Sequence, residues 1–77
     1  MNAKAYILIQ TEAGKAATAA EALRGKTGVT TADLVIGPYD IIVVAQAADA
    51  NALARLVLNE IHGTPGVTRT LTCMVAG

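Results

Sequence analysis

The chain has no tryptophan and no phenylalanine, and two tyrosines, Tyr6 and Tyr39, are its only aromatic residues. An aromatic-lined pocket is therefore not expected. A single cysteine, Cys73, allows no internal disulfide, and one thiol without a second cysteine makes no metal site. Only one histidine, His62, is present. Six basic and six acidic residues leave zero net charge and no run of lysine and arginine, so the chain lacks the basic patch that neutralises phosphates in nucleic-acid binding. Its apolar runs are too short to span a bilayer, and Met1 to Ala5 lacks the pattern of a signal peptide. The expected location is cytoplasmic.

What is present is aliphatic. Hydrophobic residues make up 53% of only 77 positions, a high share for a domain close to the lower size limit of a self-supporting core. With disulfide and metal both missing, self-association is the remaining aid to stability. Part of the apolar surface is therefore expected to meet another chain.

The densest apolar segment is Ile41-Ile42-Val43-Val44, entered through Gly37-Pro38-Tyr39-Asp40. It has no polar face, as expected of a strand buried on both sides. Residues 3–11 read as a second central strand, with Ala5, Ile7 and Ile9 on one face and Tyr6, Leu8 and Gln10 on the other. Thr11 is a candidate helix N-cap. The alanine-rich stretch Gly14 to Arg24 reads as a helix with Ala16, Ala20 and Leu23 inward, Ala13 and Ala17 beside them, and Gly25 as a left-handed C-cap. Residues 29–36 are β-branched and partly polar, an edge strand that Gly37-Pro38-Tyr39 turns into the next in an antiparallel hairpin. Asp49 caps a second helix, Ala50 to His62. Its expected inner face is Ala50, Leu53, Ala54, Val57, Leu58 and Ile61, with Leu56 at the margin. Gly63-Thr64-Pro65-Gly66 ends that helix, and residues 67–75 form the last strand.

The order β-α-β-β-α-β fits an α+β split βαβ (ferredoxin-like) sandwich, a single domain over 1–77, with a four-stranded antiparallel sheet and both helices on one face. The first and third strands take the centre. Because these are apolar on both faces, the face without helices is expected to pair with the sheet of a second subunit as a dimeric α+β barrel, giving an obligate homodimer.

Gly37-Pro38-Tyr39-Asp40 with its following strand is similar to the Gly-x-Tyr-Asp hairpin of the Lrp/AsnC (feast/famine) transcription regulators. Pro65-Gly66-Val67-Thr68-Arg69-Thr70-Leu71-Thr72 resembles the closing Pro-Gly-Val segment of the same family. The likeness is to the effector-binding (RAM) domain and covers essentially the whole chain. No length remains for the helix-turn-helix domain that normally precedes it, so the chain resembles the stand-alone members. The resemblance implies homodimers that assemble into larger rings, with a small effector, often an amino acid, held between dimers. It also leaves a full-length Lrp/AsnC regulator as a possible partner, without direct nucleic-acid binding and without a membrane.

The candidate ligand-binding residues are Gly37, Tyr39, Asp40, Thr70 and Thr72. Asp40 could accept an α-ammonium group while turn amides hold the α-carboxylate, and the competing role is to satisfy hairpin amides. Tyr39 could line the pocket or only pack, and Gly37 would act through its amide. Thr70 and Thr72 share a face of the last strand, with edge-strand β propensity as their competing explanation. Cys73 points the other way and is expected to be a small buried residue. His62 is expected to be a solvated helix end. No catalytic constellation, metal site or cofactor motif is found. An enzyme on the related dimeric barrel, of isomerase or monooxygenase type, would want histidine or aromatic residues in its cavity. A metal carrier of the same strand order would need Cys-x-x-Cys.

Overall fold

The computed structural model describes residues 2–77. The first strand, β1 (Ala3–Thr11), leads to helix α1 (Ala16–Arg24), then strands β2 (Val29–Leu34) and β3 (Ile41–Ala47). Helix α2 (Ala50–Leu56) continues directly into a π-turn (Val57–Ile61), and β4 (Val67–Met74) closes the sheet. The sheet order is β2-β3-β1-β4, antiparallel throughout. The two strands without a polar face thus occupy the centre, as their residues require, and the threonine-bearing strands lie at the edges.

Alternation along the central strands separates two faces. Ala5, Ile7 and Ile9 of β1 and Ile41, Val43 and Ala45 of β3 are sealed beneath the helices together with Leu23, Leu53 and Ile61. The other face carries two apolar rows. Tyr6 lies between Val44 and Cys73, and Leu8 between Ile42 and Leu71. Polar pairs bound these rows at both ends, Lys4 with Gln46 and Gln10 with Arg69. No helix covers this face, and Tyr6 and Leu71 remain 43% and 47% exposed. Cys73 is exposed there too, contrary to the buried role expected of it. It lies on an outer strand, on the side away from the helices.

Several local expectations are corrected. Thr11 is the last residue of β1, not a cap, and α1 begins after Lys15 without a side-chain cap. Ala19 is buried beside Ala20 and Leu23, whereas Ala13, which precedes the helix, and Ala17 face solvent. Gly25 has φ −82°, and the left-handed position after α1 is Gly28, at φ +94°. The edge strand stops at Leu34, and Val35 and Ile36 belong to the following loop. Asp49 does cap α2, its Oδ1 accepting the Ala52 N–H at 2.8 Å.

The second helix departs most from its expected pattern. The His62 N–H donates to the Val57 carbonyl, five residues back, at 2.9 Å, which is the wider spacing of a π-turn. Leu53, Val57 and Ile61 then fall inward at every fourth residue, while Leu58, expected inside, is 65% exposed. Leu56 instead packs against the core. Thr64 ends the segment by donating its hydroxyl to the Glu60 carbonyl at 2.8 Å.

Gly28 locks this arrangement to the sheet. Its carbonyl accepts the Gln46 N–H at 2.8 Å. A Cβ there would stand 2.8 Å from Leu56 Cδ2 and 3.1 Å from the Gln46 carbonyl oxygen. Gly28→Ala therefore combines a disfavoured φ with a backbone clash and should cost about 1–3 kcal/mol. A fall in melting temperature of at least about 4 °C is expected by circular dichroism; an unchanged melting curve would show that the Gly28–Leu56 contact is slack.

Candidate functional site

The five candidate residues fall in two places. Gly37, Tyr39 and Asp40 belong to the β2–β3 loop, and Thr70 and Thr72 lie on β4. The shared neighbour Ile9 pairs with Ile41 on one side and Thr70 on the other. Two strand spacings, about 10 Å, therefore separate the mouth of β3 from Thr70. Within one chain the two groups do not form a single pocket.

At the loop, Asp40 has a structural task. After the Ile9–Ile41 pair β3 has no further residue to offer β1, and the Thr11 N–H would lack a partner. The Asp40 carboxylate replaces the missing strand, with Oδ2 accepting the Thr11 N–H at 2.8 Å and the Thr11 hydroxyl at 3.2 Å. The Asp40 N–H donates to the Ile9 carbonyl at 2.8 Å, and the Val35 N–H donates to the Asp40 carbonyl at 2.9 Å. Gln10 donates its side-chain amide to the Pro38 carbonyl at 2.9 Å. A six-residue loop is thus tied to β1 from both backbone and side chains. Tyr39 is half-buried and Gly37 exposed within it. Ile36, at the tip, is fully exposed.

The second place is a groove of about 400 Å³ between the α2–π-turn segment and β4. Thr70, Thr72 and Met74 form its strand wall, sharing the helix-side face as their spacing requires. Leu53, Val57 and Leu58 contribute from the helical wall, with Ala54 and His62 at its margin. His62, expected to be merely solvated, hydrogen bonds through Nε2 with the Thr70 hydroxyl. This end of the helical segment is the π-turn, in which the His62 N–H reaches back five residues to the Val57 carbonyl. Nothing in the hydrophobic period of residues 50–62 signals that extra residue per turn. The lining contains no Asp, Glu, Lys or Arg. Among the described residues no group of three metal-ligating side chains occurs, and no helix is long and apolar enough to cross a membrane.

The βαββαβ sandwich thus carries a tied hairpin at one end of the sheet and a groove beside the last strand. The model of the Lrp/AsnC ligand-binding domain matches residues 4–76, and the chain belongs to that family. Among solved structures, a hypothetical protein from Pyrococcus horikoshii shares 30% identity over 99% of this chain and 90% of its own, with a TM-score of 0.90. The protein FFRP-DM1 shares 30% identity over 96% of this chain and 99% of its own, with a TM-score of 0.91. AsnC of E. coli, at 24% identity and a TM-score of 0.89, shares the fold; the match covers 97% of this chain and 51% of that one. No curated protein sequence matches the chain significantly. The family is one of regulatory effector-binding domains.

The structural task of Asp40 makes a direct prediction. Asp40→Ala leaves the part-buried Thr11 N–H without an acceptor and should cost about 1–3 kcal/mol. Asp40→Asn keeps an acceptor oxygen and should cost less than half as much. Equal melting temperatures for Asp40→Ala and the parent protein would show that solvent replaces the carboxylate at no cost.

Proposed function

We propose that the chain is an effector-binding and oligomerisation module that takes a small metabolite, an amino acid, where two subunits meet. It works in the cytoplasm without catalysing a reaction. Its output is the assembled state, either alone or shared with a full-length Lrp/AsnC regulator that carries its own DNA-reading domain. The observation that carries this reading is the family match over nearly the whole chain.

Two features of the structure support the subunit arrangement. The bare apolar face of the sheet, bounded by polar residues, has the composition of an interface core with its rim. Covering it with the same face of a second copy would stabilise by roughly 1.5–3 kcal/mol for each large apolar side chain removed from water. The separation of the candidate residues into two places suits a site shared between chains, one subunit offering the loop with Gly37, Tyr39 and Asp40, another the β4 wall with Thr70 and Thr72. In that site the Asp40 oxygen not engaged by Thr11 meets the α-ammonium group, and loop amides meet the carboxylate. A relative of this fold, a transcriptional regulator from Neisseria meningitidis at 23% identity, was solved as a complex with L-methionine.

A thermal-shift screen against the twenty common amino acids tests the reading. At about 100 times its dissociation constant a ligand should stabilise the protein by roughly 2.7 kcal/mol, a large shift for so short a chain. Asp40→Asn should abolish the shift while the unliganded melting temperature stays close to that of the parent. The absence of a shift with all twenty would refute amino-acid binding.

A further inference from the structure

The bare face of the sheet carries opposite charges at its two edges. Asp33 on β2 pairs with Ile42 and so ends the row of Ile42, Leu8 and Leu71 on that side. Arg69 on β4 stands beside Gln10, one alternate residue beyond Leu71. Both side chains are exposed. Neither takes part in the ion pairs found among the described residues, Arg24 with Glu21 and Lys26 with Glu60. The remaining charge on the strands of this face, Lys4, lies over the Tyr6 ring at 5.3 Å from its centroid. Three strand spacings, about 14 Å, separate β2 from β4, so Asp33 and Arg69 of one chain do not meet.

Resting on the sheet-to-sheet dimer proposed above, we infer that Asp33 and Arg69 are the residues by which this face recognises a second copy of the chain, Asp33 of each subunit pairing with Arg69 of the partner subunit. Sheets packed face to face lie about 10 Å apart, with their strands within about 30° of one another. A two-fold axis between such sheets runs either across the strands or along them. Across, it lays β2 on β2 and β4 on β4, and keeps acid and base on opposite edges. Along the strands, it lays β2 of one subunit on β4 of the other, and β3 on β1. Asp33 then stands at the level of Leu71 of the partner subunit. Arg69 of the partner subunit is about 7 Å further along that strand, a gap that an arginine side chain spans. Symmetry makes the contact twice. The aliphatic rows between the edges discriminate poorly among partners, and the charges at the rim fix the register. Another subunit of this fold is admitted only where it offers a base to Asp33 and an acid to Arg69.

Charge reversal, followed by thermal melting and native mass spectrometry, reads the pairing. Asp33→Arg and Arg69→Asp each replace two attractive contacts by two repulsive ones. Each variant should melt at least about 4 °C below the parent at equal concentration. The double variant, which exchanges the two charges, should melt near the parent. An equimolar mixture of the single variants should recover likewise, with the mixed dimer dominating the mass spectrum, because it restores both contacts. That recovery is expected even where a single variant fails to fold by itself. Single variants that melt with the parent and mix at random would overturn the assignment while leaving the dimer intact. So would losses that neither the mixture nor the double variant recovers. A parent protein that is monomeric at low micromolar concentration would remove the dimer itself, and this inference with it.

Discussion

A four-stranded sheet with helices on one side has two faces and only one roof. Everything distinctive in this molecule follows from the fact that its central strands are apolar on both. Ile7, Ile9, Ile41 and Val43 are sealed by α1 and α2, whereas Tyr6, Leu8, Ile42 and Val44 face away from every helix. None of the described elements covers that second face, and a patch of this kind on a small domain is the mark of an interaction surface. Oligomerisation is in this account part of the fold's stability, and a ligand site built between subunits is its natural consequence.

The same constraint places the functional groups. In the proposed dimer the sheet face is taken by a partner, and polar groups for a ligand would come from the sheet's ends and outer edge. The β2–β3 loop supplies one set, held by Asp40, Gln10 and the β1 backbone. The groove under β4 supplies the other. Asp40 serves both stability and recognition in this scheme. One oxygen completes the sheet where β3 ends, so the carboxylate is held in place before any ligand arrives. A pre-positioned acceptor of this kind loses little conformational freedom on binding.

Much of the architecture was legible because strand burial leaves a strong imprint. The run Ile41 to Val44 and the alternation around Ile7 and Ile9 identify central strands, and Asp49 marks its helix start through a side chain made for that role. The less legible parts turn on backbone geometry that the apolar period does not record. Leu58, expected inward, is exposed, and Leu56, expected at the margin, packs against the core. Gly25 caps α1 as read, but with a right-handed backbone, and the left-handed position falls at Gly28, where Leu56 and Gln46 approach closely. Cys73 has the composition of a core residue, yet its place depends on which strand lies outermost. Of the candidate site, the hairpin and the threonine pair could be read from motifs. The contribution of His62 could not, since it depends on the rotation of one helical turn relative to Thr70.

The account stands on the covered second face of the sheet, and sedimentation equilibrium at low micromolar concentration tests it most directly. The account predicts a mass of twice the chain or a multiple of that, with no folded monomer detectable on dilution until the secondary structure itself is lost. A monomer that keeps its circular dichroism spectrum and its cooperative melt at that concentration would contradict it.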